Sequence, residues 1–429
     1  VKADELANKI ITLFIIISII VIACVNIFAR YIIEIIANGF NIELKEKCTE
    51  LLRIYSPYFF FVIISAIYAA ILQSRDRFLG SQIREVVTYL PTIFLGSILY
   101  KMYDIEGLII ALVIGSILRL LVLLPFINWK YKFKIDFNFK DNKVKDILKK
   151  IPSVLITTGI EKVNALVDRM MASGLVTGAV SSLNYGHKLI NVFNGLFTSA
   201  VNTTIYPTMS KLVAEDKKDN LKNLVEKVIT IIGIIVIPLT ALMILLRKEI
   251  VSIAFQRGEF DSQSVLATAR VFLGYLIGMY YIGIKPILNN VFYSIGNTKI
   301  IMYISMVTIT INIILNIVLV KLMDIMGLAL ATSISDILYC VFALIYLNKI
   351  GYVNIKRIFK KFIKLNIVSL IAYIISVVIK LRIVNINIII HSLIISVIFL
   401  AIYVLQIKYI KIQETEDIIQ VIMKKIKRG

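Results

Sequence analysis

The sequence predicts an all-α polytopic membrane protein of about twelve transmembrane helices, arranged as two pseudo-symmetric lobes plus two C-terminal helices. Three observations carry this. Of the 429 residues 59% are hydrophobic, and the mean hydropathy of +0.87 is far above that of soluble domains. The apolar residues arrive in blocks of about 20, the length that crosses a bilayer core. A short motif also recurs, with "KMYDIEGL" at 101–108 returning as "KLMDIMGL" at 321–328, an offset of 220 residues.

Taken in order, the blocks place spans near 10–36, 55–73, 85–100 and 105–127, before a basic stretch at 128–150. Further spans follow near 147–172, 180–207, 224–246, 264–294, 299–321 and 327–348, and two more near 362–380 and 384–407. The chain thus divides into an N-terminal lobe of four spans at 1–127, a basic cytoplasmic linker at 128–150 and a C-terminal lobe of six spans at 151–348. The first span of the second lobe begins near 147; two extra spans lie within 349–407 and a basic cytoplasmic tail within 408–429.

The repeat extends beyond the quoted motif. At the same offset Ala111 falls on Ala331, and "ILQSRDRFLG" at 71–80 falls on the turn around "VFYSIGNTKI". Duplicated bundles of spans are a mark of transporters, and six spans per copy makes the copies parallel. Two spans of the second copy lack partners in the first, so an N-terminal hairpin of two spans is expected to be absent from this chain. A complete protein would have about fourteen spans.

The formal net charge of +21 raises the question of nucleic acid. Its Lys and Arg concentrate in alternate loops and both tails, which is how orientation in a membrane is written, so the partners expected are membrane lipids and not nucleic acid. The positive-inside rule puts both termini in the cytoplasm. Cys24, Cys48 and Cys340 are scattered, and two histidines far apart add nothing to a metal cluster. With no phosphate loop, nucleophile elbow or zinc-protease motif, the chain reads as a transporter and not as an enzyme.

Chemistry gathers in "TGIEKVNALVDRMMASG" at 158–174, which packs Glu161, Lys162, Asp168 and Arg169 into about two helical turns. Charge at mid-bilayer costs about 2.5–3.5 kcal/mol per group, so such residues face a wet cavity or neutralise one another. Glu161 pairing with Lys162 or Arg169 is the second of these readings. His187 and Lys188 lie just inside the next span; Lys188 is either an interfacial anchor or a cavity cation for a phosphate. Lys285, beside Pro286 in a span the proline should bend, is another cavity candidate. Asn312 and Asn316 share a helix face, Thr332 lies early in the next span, and with Asp168 these oxygens suit either a hard cation or hydrogen bonds between helices. Arg119 and Asp336 read as polar glue between spans.

The stretch "VDRMMASGLVTGAVSSLNYGHKLINVFNGLFTSAVNTTIYPTMSKL" at 167–212, followed by "FQRGEFDSQSVLATARVFLGYLIG" at 255–278, resembles the MurJ/MviN lipid II flippases. These belong to the multidrug/oligosaccharidyl-lipid/polysaccharide exporter superfamily, and the resemblance runs over nearly the whole chain, from the third of about fourteen spans. It implies two six-span lobes, with the last two spans forming a groove for a polyprenyl tail. It implies an undecaprenyl-pyrophosphate-linked disaccharide-peptide as substrate, turned over across the bacterial cytoplasmic membrane by alternating access in a monomer. The residues themselves offer Lys162, Arg169, His187, Lys188 and Lys285 as substrate-binding cations; of these the resemblance singles out Lys188, which matches a position where arginine is usual and so keeps the charge but loses the bidentate fork. Other essential arginines of the family lie on spans that this chain does not contain. For some members a sodium site is described whose side chains match Asp168, Asn312, Asn316 and Thr332, with an aspartate where Asn316 stands. No other cofactor is implied; membrane potential or sodium would drive the cycle. The rivals are an exporter of another lipid-linked oligosaccharide, an exporter of small cationic drugs, a membrane-embedded transferase, and a truncated inactive form.

Overall fold

The computed structural model describes residues 2–74, 78–126, 133–139, 141–200, 205–383, 386–407, 409 and 414–415. Among the described residues there are fourteen α-helices, and the chain falls into two compact units, Val1–Gly159 and Ile160–Gly429. The second lobe was expected to begin at 151; the division instead falls inside one continuous helix. Each unit is considered by itself.

The first unit holds α1 (Lys2–Ile36), α2 (Ile42–Tyr55), α3 (Pro57–Gln73) and α4 (Phe78–Leu121), with the start of α5 (Asn142–Ser173). Its core is small: Ile11, Ile64, Tyr68, Leu72 and Leu123. The linker lies along the start of α1, where the backbone N–H groups of Lys134 and Asp136 donate to Asn8 Oδ1 and Thr12 Oγ1, and Lys9 pairs with Asp141 at 2.8 Å. Deeper in the unit, Arg119 donates twice to Glu85, at 3.1 and 2.8 Å, and once to Ser65 Oγ at 3.0 Å, the interhelical bonding expected of it. Buried hydroxyls such as Ser18 and Thr88 donate to the carbonyl four residues back, so no polar group need face hydrocarbon.

The second unit continues α5 and adds α6 (Ala179–Ala200), α7 (Tyr206–Ala214), α8 (Lys218–Leu245), α9 (Arg247–Phe255), α10 (Ser262–Leu276), α11 (Met279–Ser294), α12 (Thr298–Lys349), α13 (Ile355–Arg382) and α14 (Ile388–Ile407). Its core is one continuous cluster built around Phe272, Phe292, Tyr339 and Phe399. The two C-terminal spans belong to it, since Leu365 and Phe399 join that cluster and Tyr403 donates to the Ile234 carbonyl at 2.8 Å.

Among the described residues seven helices are long and apolar enough to cross a membrane, and the bent pair α10–α11 makes an eighth. The sequence predicts about twelve; the difference lies in α4 and α12, which each hold two arms, and in α5 and α6, which have span length but polar faces. Both double helices reverse at an aspartate: Asp104 has φ 51° and ψ −137°, Asp324 φ 51° and ψ −135°. A side chain added at Gly107 would sit 2.2 Å from the Leu99 carbonyl, and at Gly327 2.3 Å from that of Leu319, so the arms touch backbone to backbone.

These turns are the repeated motif, and the register holds elsewhere. Asn41 caps α2 by accepting from the Leu44 N–H, and 220 residues on Asp261 caps α10 by accepting from the Ser264 N–H. The breaks α2–α3 and α10–α11 also correspond. The latter bends by 44° between Leu276 and Met279, not at Pro286 as the sequence suggested. Ser333 explains the position: its hydroxyl donates to the carbonyls of Gly274 and Tyr275 at 2.7 and 3.1 Å, and Gly278 abuts it with no room for a Cβ.

Gly327→Ala should destabilise the fold by about 1–3 kcal/mol, read as a lower thermal unfolding midpoint, because the two backbones must separate. Asp324→Gly should be neutral or stabilising by up to about 1 kcal/mol, since glycine relieves the positive φ at some entropic cost. A second expectation concerns the α10 cap. The Ser264 backbone N–H holds the Asp261 carboxyl below the usual carboxylate range. A depressed value means the cap contributes fully above the ordinary carboxylate pKa and is lost as pH falls through the lowered one. Asp261→Ala should therefore destabilise at pH ~7 and matter little by pH ~3, with Asp261→Asn retaining the cap at both, as unfolding curves will show.

Candidate functional site

Five helical faces of the second unit converge on a chamber of about 560 Å³, within the ~300–1,000 Å³ typical of ligand sites. On α6 the lining positions are Asn184, His187, Asn191 and Asn194, spaced three and four apart on one face. On α5 they include Lys162, Asp168 and Arg169; on α11, Lys285 and Asn289; on α12, Asn312 from the first arm and Thr332, Asp336 and Tyr339 from the second. Polar side chains at bilayer depth must face one another or a polar interior, so they gather on the chamber side of each helix and the opposite sides are free to remain apolar.

Both carboxylates are taken. Lys285 donates to Asp336 at 3.0 Å, its ammonium also standing 4.8 Å from the Tyr339 ring centroid, so this expected cation is in the chamber but largely neutralised. Asp168, only 5% exposed, accepts from Asn316 Nδ2 at 2.7 Å on one oxygen and from Thr332 Oγ1 at 3.2 Å on the other. Asn316 Nδ2 also donates to Asn312 Oδ1 at 3.0 Å, so the four residues expected together do meet.

Lys162 and Arg169 are exposed to the chamber and pair with no carboxylate among the described residues. The side chain of Glu161, the partner considered for them, lies outside the described residues. His187 is also exposed, with Nδ1 3.1 Å from the Asn191 amide nitrogen and its ring 5.6 Å from that of Tyr275. Lys188 does not line this chamber. One residue on from His187 it turns to the neighbouring face of α6, exposed, with its ammonium 5.4 Å from the Tyr185 ring centroid.

An asparagine wall that the charged residues do not reveal, including Asn184, Asn191, Asn289 and Asn290, completes the lining beside Asn164, which shares a face of α5 with Asp168. A signal was present: apolar α6 carries asparagines at helical spacing on the face of His187.

A sodium ion takes oxygen donors. Here Asn316 turns its nitrogen toward Asp168 and Asn312, while Asn316 Oδ1 and Asn312 Nδ2 are buried without partners. As arranged, the residues do not fit a cation. Among the described residues no group of three or more His, Cys, Asp and Glu could hold a metal either.

An all-helical bundle with an internal repeat and a polar chamber in its second unit defines a membrane transporter fold. Solved structures share it: an inward-facing multidrug resistance MATE family transporter of the MOP superfamily superposes with a TM-score of 0.65 at 14% identity, covering 80% of this chain and 81% of that one. A lipid II flippase MurJ in an inward closed conformation superposes with a TM-score of 0.81 at 24% identity, covering 94% and 83%. The sequence profile of the family described as "Lipid II flippase MurJ" matches residues 1–404, and the chain belongs to that family. A probable lipid II flippase MurJ of Rickettsia prowazekii is 28% identical over 343 residues, and one of Thermotoga maritima 24% over 416. The matches cover 78% and 97% of this chain, but 66% and 83% of those relatives.

The ion pair can be tested alone. Lys285→Met leaves Asp336 unmatched and should cost about 1–3 kcal/mol of stability, moderated because the pair is partly solvated. Lys285→Met with Asp336→Leu should recover most of it, as thermal unfolding of the single and double variants will report.

Proposed function

We propose that this chain translocates an undecaprenyl-pyrophosphate-linked peptidoglycan precursor, lipid II, across the bacterial cytoplasmic membrane. The observation that supports this reading is the charge state of the chamber: Asp336 is matched by Lys285 and Asp168 is bonded by neutral donors, which leaves Lys162 and Arg169 facing the interior. A chamber with spare cations attracts an anion and repels the small cations that a drug exporter would carry. The family's description names lipid II, and the head-group chemistry that the sequence resemblance implies is a pyrophosphate joined to a disaccharide-peptide.

Arg169 offers a planar fork to phosphate oxygens, and Lys162 acts as a mobile point charge. The amides of Asn184, Asn191 and Asn289, which both donate and accept, suit the hydroxyl and amide groups of the sugar. The chamber opens alternately to the cytoplasm and the outer face while the polyprenyl tail stays in the bilayer. Both termini lie in the cytoplasm by the distribution of basic residues. Work comes from the membrane potential acting on the spare cations, about 2.3 kcal/mol per elementary charge per 100 mV.

In proteoliposomes carrying the purified protein, Arg169→Ala and Lys162→Ala should each slow translocation of the undecaprenyl-pyrophosphate-linked precursor by about tenfold or more, the loss of one charged hydrogen bond. Lys162→Arg should retain it. Unchanged transport in both alanine variants, with folding intact, refutes the assignment.

A further inference from the structure

The Asp168 network allows one step beyond the transport reading. We infer that the side-chain amide of Asn316 occupies the place of a coupling cation, so that this protein binds no sodium at Asp168 and works independently of it.

A carboxylate 5% exposed among helices must be compensated. Asp168 is compensated by two neutral donors from the two arms of α12: Asn316 Nδ2 at 2.7 Å and Thr332 Oγ1 at 3.2 Å. The Asn316 nitrogen also reaches Asn312 Oδ1 at 3.0 Å. One amide nitrogen, with its two hydrogens, therefore bridges a carboxylate oxygen and a carbonyl oxygen from different helices, the bonding a monovalent ion would provide.

The orientation of that amide is decided by its partners. Rotated by half a turn, Asn316 would set its own oxygen against Asp168 Oδ1 and Asn312 Oδ1, three acceptors facing each other without a donor. The orientation adopted leaves Asn316 Oδ1 and Asn312 Nδ2 buried and unpartnered, which shows what the bonds to Asp168 outweigh. An entering cation would have to break both bonds and rotate the amide. It would gain one carboxylate, in a chamber where Lys162 and Arg169 already disfavour positive charge. The corresponding hairpin of the first unit needs no such amide: Thr92 and Gly96 stand where Asn312 and Asn316 do, and Thr92 donates to backbone carbonyls.

The test reads binding, and so stands apart from whether the protein moves lipid. Thermal unfolding of the purified full chain is followed in NaCl, KCl and choline chloride at one ionic strength. The expected midpoints are equal in the three salts. Asn316→Asp, which exchanges the donor for a second carboxylate, should acquire a saturable rise specific to NaCl, and Asn316→Ala should lose stability equally in all three. A saturable sodium-specific rise in the unmutated protein, removed by Asn312→Ala, overturns the inference. Should Asn316→Asp fail to fold, the comparison of salts on the unmutated protein decides between these outcomes.

Discussion

The buried carboxylate of Asp168 is the constraint around which the second unit is organised. An anion at this depth needs donors, and hydrocarbon offers none. Asn316 and Thr332 supply them from the two arms of α12, so one charge ties α5 to both sides of a hairpin. The hairpin in turn requires a reversal tight enough to bring residues 316 and 332 level, which the turn at Asp324 and the backbone contact at Gly327 provide. Ser333, the residue after Thr332, then receives the bend of α10–α11. Site and fold are here one set of contacts.

The same turn in the first unit serves packing alone. Asp104 and Gly107 reproduce the reversal, but Thr92 and Gly96 fill the interface with small groups, and a Cβ on Gly96 would meet the Leu108 side chain at 3.3 Å. In lipid, helices gain little from hydrophobic association, so close van der Waals contact and satisfied polar groups hold them. One repeat uses the first means and the other adds the second. Polar function can therefore be placed in one copy of a duplicated scaffold without altering its backbone plan.

Neutralisation within the chamber sets what it can bind. The pairing of Lys285 with Asp336 removes a cation that the sequence offers. It also removes an anion, so the interior is left with Lys162 and Arg169, and a neutral wall of amides and phenols surrounds them. In the proposed reading, selectivity for an anionic, sugar-bearing head rests on that balance more than on the number of charges present.

Much of the fold was legible in the sequence because the bilayer imposes it: apolar blocks of fixed length, basic residues on alternate loops and a motif repeated at 220 residues are one-dimensional signals. The meeting of Asp168, Asn312, Asn316 and Thr332 was legible only through resemblance, since their spacing equally suits ordinary bonds between helices. Tertiary structure alone decided which atom of Asn316 faces Asp168, that Lys285 is spent on Asp336, and that the bend falls at Gly278 rather than Pro286. Each depends on where a neighbouring helix stands to within about an ångström, the tolerance of a hydrogen bond. Linear spacing along one helix does not carry that distance.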